Sequence, residues 1–331
     1  MAAGSCVMSA PAVSVLMTAF NRERYVAEAI ESVLGQTFED FELVVVDDAS
    51  HDRTVDIARK YEADPRVRVV VNERNLGDYP NRNRAAALAR GEFVKFHDSD
   101  DVMYPHCLAA MVEPLRAEPG AALALSSGWH WPGGPCPMLL TPRLAYQREF
   151  LGQGLFMCGP AGALIRTDVF RSLGGFPERG AASDYVFWLK ACASVGVLLV
   201  PADLFWYRIH PGQEIQNPVA AREYALVPGE AWRALGAPSC PLSSVEREQA
   251  RKNLVYTVAK QTLHDVRAGR WAVARRRLRH AGISARDWLR YARPARRSAS
   301  AGTPIDRYGE YMTSPWSSST LSSRQAGEGR P

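Results

Sequence analysis

Three carboxylates stand within four residues of one another, at Asp98, Asp100 and Asp101. Such side chains repel one another when held together, so the group is either a solvated turn or a site for a hard cation. Carboxylate oxygens suit Mg²⁺ or Mn²⁺, and a cation there would act as a Lewis acid on a departing diphosphate. Taken alone, the residues favour the solvated turn.

Polar residues also follow two earlier apolar segments. Residues 18–22 (Thr-Ala-Phe-Asn-Arg) follow the first segment, and Asp47 and Asp48 follow the second. In isolation, such residues also fit local capping, with Ser50 or Asp52 at the start of a helix. If the apolar segments are neighbouring parallel strands, all these polar groups converge on one edge of a sheet.

The first hundred residues alternate strand and helix patterns. Continuously apolar, β-branched runs such as 43–46 are typical of strands buried on both faces of a parallel sheet. The alternation predicts a doubly wound, mostly parallel α/β sheet with ligands at the carboxyl ends of its strands. Strands are predicted at Val13–Met17, Leu43–Val46, Val67–Val71, Phe93–Phe96, Ala121–Leu125, Ala163–Ile165 and Val197–Val200. The later segments are predicted to be a loop at Trp129–Pro142, helices at Val169–Gly175 and Ser183–Ala193, and a helical pair at 246–293 with a turn near Gly269.

The order and spacing of several motifs closely resemble glycosyltransferase family 2 from about Val13 to His210. The motifs are Val13–Asn21, Leu43–Ser50, Asn81-Arg-Asn83, Gly91-Glu-Phe93 and Asp98-Ser-Asp-Asp101. The resemblance implies a GT-A fold, which is Rossmann-like. It also implies inverting transfer of a sugar from a nucleotide-diphosphate sugar, UDP- or dTDP-linked, to an acceptor hydroxyl with Mn²⁺ or Mg²⁺. Cell-surface polysaccharide, glycolipid or related glycoconjugate synthesis is the implied setting.

The resemblance also implies donor-binding roles. Thr18, Phe20 and Asn21 belong to the turn against the nucleotide, and Phe20 is the candidate for stacking on the base. Asp48 is expected to accept a hydrogen bond from a pyrimidine NH. Arg82 is either a diphosphate or base contact, or an arginine on a helix surface.

Metal roles follow from the same resemblance. Asp98 and Asp100 match the family's DXD motif, which contacts the ribose and a metal bridging the diphosphate. Asp101 extends that motif. His210 is expected to complete the metal shell or to contact the diphosphate.

The catalytic base is expected on a later helix, where Asp184 matches the family's acidic residue and Ser183 replaces a common Glu. A carboxylate there would take the proton of the acceptor hydroxyl. Asp184 also fits the favourable charge at a helix N-terminus. Gly159 and Gly162 lie in the segment that resembles the acceptor loop, where glycine permits close approach of a substrate.

Departures from the family narrow the expected activity. The chain lacks a Gln-x-x-Arg-Trp motif and membrane-spanning helices, which favours single-sugar transfer over processive synthesis. A nucleotidyltransferase is disfavoured because residues 18–22 contain no glycine for a phosphate loop. A non-catalytic sugar-nucleotide-binding or scaffold protein remains the alternative from another class, and the intact aspartate set argues against it.

Four segments are predicted along the chain, the second of them in two halves. They are a flexible N-terminus at 1–11, a GT-A domain at 12–230 with donor half 12–101 and acceptor half 102–230, a basic helical extension at 231–297, and a disordered tail at 298–331. Residues 247–297 carry 15 Lys/Arg against 3 Asp/Glu, whereas residues 1–246 have net charge −7. We interpret this basic run in three ways, in order of preference. It is a solvated helix, a face that docks on anionic lipid, or a nucleic-acid contact.

A cytoplasmic protein is expected, with peripheral contact to the inner face of the plasma membrane as an open alternative. The N-terminus lacks a basic start followed by a long apolar stretch, and no run approaches the roughly 20 apolar residues that span a bilayer. The six cysteines are scattered, which favours free thiols over a disulfide framework or a zinc site. The expected partners are a nucleotide-sugar donor and a glycan, lipid-linked or small-molecule acceptor, without nucleic acid.

Overall fold

The computed structural model describes residues 10–126, 136–213 and 218–291. The predicted tail at 298–331, most of the predicted N-terminal segment and part of the predicted loop at Trp129–Pro142 lie outside these residues. The strands are β1 Val13–Ala19, β2 Phe41–Asp47, β3 Val67–Val71, β4 Phe93–Asp98, β5 Val102–Met103, β6 Ala121–Ser126, β7 Met138–Leu140, β8 Ala163–Arg166, β9 Gly196–Val200 and β10 Phe205–Trp206.

Helices occupy most of the intervening segments. They are α1 Val26–Leu34, α2 Thr54–Arg59, α3 Asp78–Ala87, α4 Cys107–Ala117, α5 Pro142–Leu151, α6 Thr167–Ser172, α7 Ser183–Cys192, α8 Pro218–Tyr224, α9 Val227–Gly236, α10 Ser244–Arg267, α11 Trp271–His280 and α12 Ala285–Tyr291. In the described residues, no helix is long and apolar enough to cross a membrane.

Eight strands form one sheet in the order β3-β2-β1-β4-β8-β6-β9-β7. The first four in this order run parallel, and β8 and β7 run antiparallel to their neighbours. The predicted mostly parallel, doubly wound sheet is therefore confirmed. The chain leaves β1 toward β2 on one side and later adds β4 on the other, so the topological switch point lies between β1 and β4.

Side chains on alternate strand positions feed two apolar cores, one on each face of the sheet. Val15 and Met17 of β1 pack with α1 and α4, whereas Leu16 packs on the opposite face with residues of α3, α5 and α7. β2 is buried along its whole length. Burial on both faces explains why the β2 sequence is continuously apolar.

A close backbone approach fixes β1 against the end of α3. A Cβ atom built on Gly91 would lie 2.5 Å from the backbone nitrogen of Ser14. Glycine is therefore required there, and the contact sets the entry of β4 beside β1.

Two predictions about later segments were wrong. The C-terminal segment forms three helices rather than a pair, because α12 packs back on α10 through a small core that includes Val255 and Tyr291. The predicted loop at Trp129–Pro142 contains β7 at Met138–Leu140, whose edge pairing with β9 overrides the local proline content. Pro142 instead begins α5, where Thr141 caps the first turn.

The predicted boundary at residue 230 falls inside α9. This helix contacts both α7 of the sheet domain and α10 of the basic extension. The division of the chain at that point stays a prediction.

Candidate active site

The carboxyl ends of β1, β2 and β4 meet at one edge of the sheet and carry the predicted polar groups. Thr18 of β1 lies beside Val46 of β2 and Asp98 of β4 in the strand registers. Convergence follows directly from the parallel pairing of these strands, as the sequence predicts.

The loops after β1 and β2 are tied together. The backbone NH of Asn21 donates to the hydroxyl of Ser50 at 2.8 Å, and the backbone NH of His51 donates to Oδ1 of Asn21 at 2.9 Å. Asn21 and Ala49 both adopt positive φ, 53° and 61°. Strained backbone of this kind persists where surrounding contacts hold it, often at functional sites. Phe20 is left 38% exposed beside this junction.

Asp48 is buried and braces the next loop. Its Oδ1 accepts hydrogen bonds from Nδ2 of Asn72 at 2.7 Å and from the NH of Leu76 at 2.9 Å. Its Oδ2 accepts one from the NH of Gly77 at 2.9 Å. Since a carboxylate offers about four acceptor positions, one remains on Oδ2.

The three carboxylates at 98–101 point to three different partners. Oδ1 of Asp98 accepts from Nη2 of Arg82 at 2.7 Å. Oδ2 of Asp100 accepts from Nε of Arg22 at 2.9 Å. Oδ1 of Asp101 accepts from the backbone NH of Arg208 at 3.0 Å. Mutual repulsion is thus relieved by separate donors rather than by solvent.

His210 contacts Asp100 across the loop. Its Nε2 lies 3.0 Å from Oδ2 of Asp100, and its ring stacks at a tilt on Tyr25 with centroids 4.5 Å apart. β10 pairs with β5, which follows the aspartates directly, and this pairing brings the 205–210 segment to the loop. Nε of Arg208 donates to the backbone oxygen of Asp100 at 2.8 Å and reinforces the same contact.

Asp101 is fully buried, and its Oδ2 has no hydrogen-bond partner among the described residues. Burial, with the nearby charge of Asp98, raises the pKa of Asp101 to about 8. In the described ranges, no group of three or more His, Cys, Asp or Glu side chains is close enough to hold a metal ion by itself.

Arg82 is not a surface residue. Its side chain is 9% exposed and lies between two carboxylates, with Nε donating to Oδ1 of Asp78 at 2.8 Å and Nη2 to Asp98. Burial opposes its charge, but Asp78 and Asp98 outweigh that effect and raise the pKa of Arg82. Its Nη1 is buried without a partner in the part of the chain that the structure describes.

Asp184 is the second residue of α7 and interacts with the same charge network. Burial raises the pKa of Asp184 to about 7, although the backbone NH of Tyr185, the charge of Arg82 and the hydroxyl of Tyr79 each favour the ionised form. The NH of Tyr185 donates to Oδ1 of Asp184 at 2.6 Å. Asp184 therefore sits at a helix N-terminus, as the alternative reading expects, and also beside Arg82.

A cleft of about 310 Å³ opens next to Asp184. Its lining includes Asp78, Tyr79, Ser183 and Glu223. Glu223 accepts a hydrogen bond from the NH of Ala181 at 2.8 Å, which ties α8 to the segment before α7.

The two predicted acceptor glycines lie apart from the lining described for this cleft. Gly159 is exposed, and nothing lies within 4 Å of where its Cβ would be. A Cβ on Gly162 would lie 2.3 Å from Sγ of Cys158, so glycine is needed there for packing. Their role in acceptor binding stays a prediction.

Sequence reasoning left out two arginines of the site. Arg22 and Arg208 both donate hydrogen bonds to Asp100. Arg22 precedes it by 78 residues in the chain, and Arg208 follows it by 108 residues. Arg22 stands in the 18–22 motif, and Arg208 stands two residues before His210. The sequence could have indicated both arginines, because each lies within or beside residues already assigned to the site.

The family comparison identifies the domain. Residues 14–174 match the family described as Glycosyl transferase family 2. An uncharacterized glycosyltransferase of Methanocaldococcus jannaschii, MJ1057, is 39% identical over 101 residues, which cover 30% of this chain and 35% of the relative. The chondroitin synthase of Escherichia coli is 31% identical over 136 residues, or 37% of this chain and 20% of that protein. The chain spans about a third of the length of the first curated relatives it matches.

Solved structures share the fold. Residues 1–349 of TarS from S. aureus, in complex with UDP-GlcNAc, align with a TM-score of 0.58 at 20% identity over 86% of this chain and 93% of that one. The mannosyltransferase PcManGT from Pyrobaculum calidifontis, in complex with GDP-Man and Mn²⁺, gives 0.57 at 20% identity over 86% and 79%. Residues 14–174 therefore match glycosyl transferase family 2, and the chain shares the GT-A fold of these solved structures.

Proposed function

We propose that this chain is an inverting, non-processive glycosyltransferase that moves a sugar from a nucleotide-diphosphate sugar to an acceptor hydroxyl. One observation carries the proposal above the others. Arg82 pairs with Asp98 of the donor motif, and its charge also stabilises ionised Asp184. The candidate base and the candidate donor site therefore share one charge network.

The donor would lie over the ends of β1, β2 and β4. Phe20 is exposed and free to stack on a base. Asn21 shapes the turn beside it, and Thr18 lies next to Asp98. The remaining acceptor position of Asp48 suits one NH of a pyrimidine, which supports a UDP- or dTDP-linked donor. Solved structures of the same fold hold UDP-GlcNAc and GDP-Man.

The side chains of Asp100 and His210 are suited to bind a divalent cation, and Asp101 is the next residue after Asp100. The contact between Asp100 and His210 supplies one carboxylate and one imidazole, and Oδ2 of Asp101 is an unpartnered buried oxygen. Mg²⁺ and related cations are commonly held by one or two carboxylates plus substrate phosphates, so the lack of a three-residue cluster fits this mode. When bound, Mn²⁺ or Mg²⁺ would neutralise the leaving diphosphate.

Arg82 would bind the diphosphate directly. Its unpartnered Nη1 is a buried guanidinium donor beside Asp98. A buried donor without a partner carries a desolvation cost of about 1–3 kcal/mol. A phosphate oxygen would relieve that cost, so the group favours donor binding.

Asp184 would act as the general base. Its pKa of about 7 leaves a substantial ionised fraction at neutral pH while keeping the group basic enough to accept a proton. The acceptor oxygen loses its proton to Asp184 and attacks the anomeric carbon, and the bond from that carbon to the diphosphate oxygen breaks. In-line attack of this kind inverts the anomeric configuration.

The acceptor would enter through the cleft beside Asp184. Ser183 and Tyr79 line the cleft, and Ser183 directly precedes Asp184 in α7, so a hydroxyl bound there would approach the base. Gly159 and Gly162 lie outside the lining of this cleft, and their part in acceptor binding is proposed on the family resemblance alone. The chondroitin synthase among the relatives supports a role in polysaccharide or glycoconjugate synthesis.

The test is to incubate the protein with a panel of nucleotide-sugars, Mn²⁺ and simple glycan or glycolipid acceptors. We expect release of the nucleoside diphosphate and a product whose anomeric configuration, read by NMR, is opposite to that of the donor. Release of pyrophosphate would instead indicate nucleotidyl transfer. Donor binding with neither product would indicate a non-catalytic sugar-nucleotide-binding protein.

A further inference from the structure

The three C-terminal helices bury one side and leave the other open. α10 and α12 share a small core with the connection between α11 and α12, and this core includes Val255, Val258 and Ile283. α11 is also fixed to α9, because a Cβ on Gly229 would lie 2.0 Å from the backbone oxygen of His280. The open side of α11 is therefore presented in a fixed orientation.

Four residues of α11 form one exposed face, named here the α11 outer face: Trp271, Arg275, Leu278 and Arg279. Spacings of four, seven and eight residues place them on one side of a helix. Trp271 is 66% exposed and Leu278 is 44% exposed. The opposite side of the helix carries Val273, Arg277 and His280, which are partly buried, and Ala274 is buried at the flank, so the fold leaves the α11 outer face unused.

Positive charge on this face is not compensated. Arg275 and Arg279, with the neighbouring Arg276, have no ion-pair partner among residues 10–126, 136–213 and 218–291. Acidic residues of the extension have other partners: Asp265 binds Arg270 and Arg277, Glu248 binds Arg290 and Tyr291, and Asp287 binds Ser284.

Exposed tryptophan and leucine flanked by arginines match the chemistry of an anionic lipid surface. Trp sits at the headgroup level, Leu enters the acyl boundary, and Arg extends its charge to the phosphates. Leu289 of α12 is 79% exposed next to Arg290 and repeats this chemistry. Single-stranded nucleic acid would also use arginine and an aromatic ring, but exposed leucines offer no stacking surface for bases.

The C-terminal segment that follows α12 is a poor occupant for this face. Residues 292–331 contain six arginines against three acidic residues, so their net charge has the same sign as the face. We propose that the α11 outer face docks the protein on a membrane surface rich in anionic phospholipid. Docking of this kind does not depend on the proposed sugar transfer.

The test uses the full chain with vesicles of phosphatidylcholine alone or mixed with phosphatidylglycerol, scored by flotation. We expect binding to the mixed vesicles only, weakened by salt because the charges are exposed. Arg275→Glu with Arg279→Glu should weaken binding by about tenfold or more. Trp271→Ser should also weaken binding, while its binding in low salt should still depend on phosphatidylglycerol.

Arg59→Glu with Lys60→Glu is the matched control, because it changes the net charge equally on exposed residues of α2 and its neighbour. We expect this control to bind vesicles like the wild type. Brominated phospholipid should quench fluorescence in the wild type more than in Trp271→Phe. The proposal would be overturned if the α11 variant and the α2 control lost vesicle binding equally, or if the wild type bound neither kind of vesicle. The face would be assigned to nucleic acid instead if the wild type bound an RNA or DNA oligonucleotide but no vesicles. In that case Arg275→Glu with Arg279→Glu should abolish binding of the oligonucleotide.

Discussion

Nε2 of His210 lies 3.0 Å from Oδ2 of Asp100, although the two residues are 110 positions apart in the chain. The short pairing of β5 with β10 creates this contact, because β5 follows the aspartates and β10 precedes the histidine. Two side chains suited to a divalent cation thus meet beside the end of β4.

The Asp100 and His210 pair should govern metal affinity. We expect His210→Ala to weaken Mn²⁺ binding in the presence of UDP by at least about tenfold, since one ligand and the support of the other are lost. Isothermal titration calorimetry measures the effect, and His106→Ala is the control because His106 is exposed and lies outside the site. Unchanged Mn²⁺ affinity in His210→Ala would remove the histidine from the metal shell.

The pH dependence of transfer should report Asp184. A base must be ionised, so kcat/KM should rise about tenfold per pH unit below the pKa and level off above it. The inflection is expected near the pKa of about 7 that burial imposes on Asp184. The profile is measured at saturating Mn²⁺ with donor binding followed separately as the control. A flat profile through that pH range would contradict the assignment.

Asp184 should also lower the free energy of unfolding as the pH rises from about 4 to about 7. Its pKa is raised from 3.8 in the unfolded chain to about 7 in the fold, so the folded state holds the extra proton between these values. Stability therefore falls as pH rises through that window. Asp184→Asn does not titrate and therefore does not lose stability in this way. The difference in unfolding free energy, variant minus wild type, should increase by about 1 kcal/mol or more from about pH 4 to about pH 8. Urea unfolding at both pH values tests this, and a gain that is constant or shrinks would contradict it.

Arg82 should be a major contributor to stability. Arg82→Ala leaves Asp78 and Asp98 without their shared cation. Because these carboxylates are 36% and 27% exposed and solvent screens them in part, we expect a cost of about 1–3 kcal/mol. Lysine should recover only part of the loss, because a point charge does not bridge both carboxylates. Urea unfolding gives the free energies. Arg84→Ala, an exposed position on the same helix, should stay within about 0.5 kcal/mol of wild type.

The sequence was sufficient to predict the sheet and the convergence of the polar loops. β1 to β3 are rich in apolar, β-branched residues and β4 begins with Phe-Val, and parallel pairing places the carboxyl ends of all four at one edge without further information. The role of Arg22 and Arg208 was not predictable from local pattern, since each acts on Asp100 across a long separation in the chain.

Two structural details also depended on distant contacts. β7 forms because β9 offers it an edge, and α12 folds back because Tyr291 finds a place in the small core of the extension. Neither strand nor helix had a strong local signal. The choice between a surface and a buried position for Arg82 likewise required the positions of Asp78 and Asp98 in three dimensions.

The central claim is that Asp184 deprotonates an acceptor bound beside the donor motif. The most direct measurement compares Asp184→Asn with wild type for transfer and for nucleotide-sugar binding in Mn²⁺. Asp168→Asn is the control, because Asp168 is an exposed acidic residue in the first turn of α6. The account predicts that Asp184→Asn loses transfer by about 10²–10⁴-fold while donor binding is retained, and that Asp168→Asn keeps both. Undiminished transfer by Asp184→Asn would contradict it.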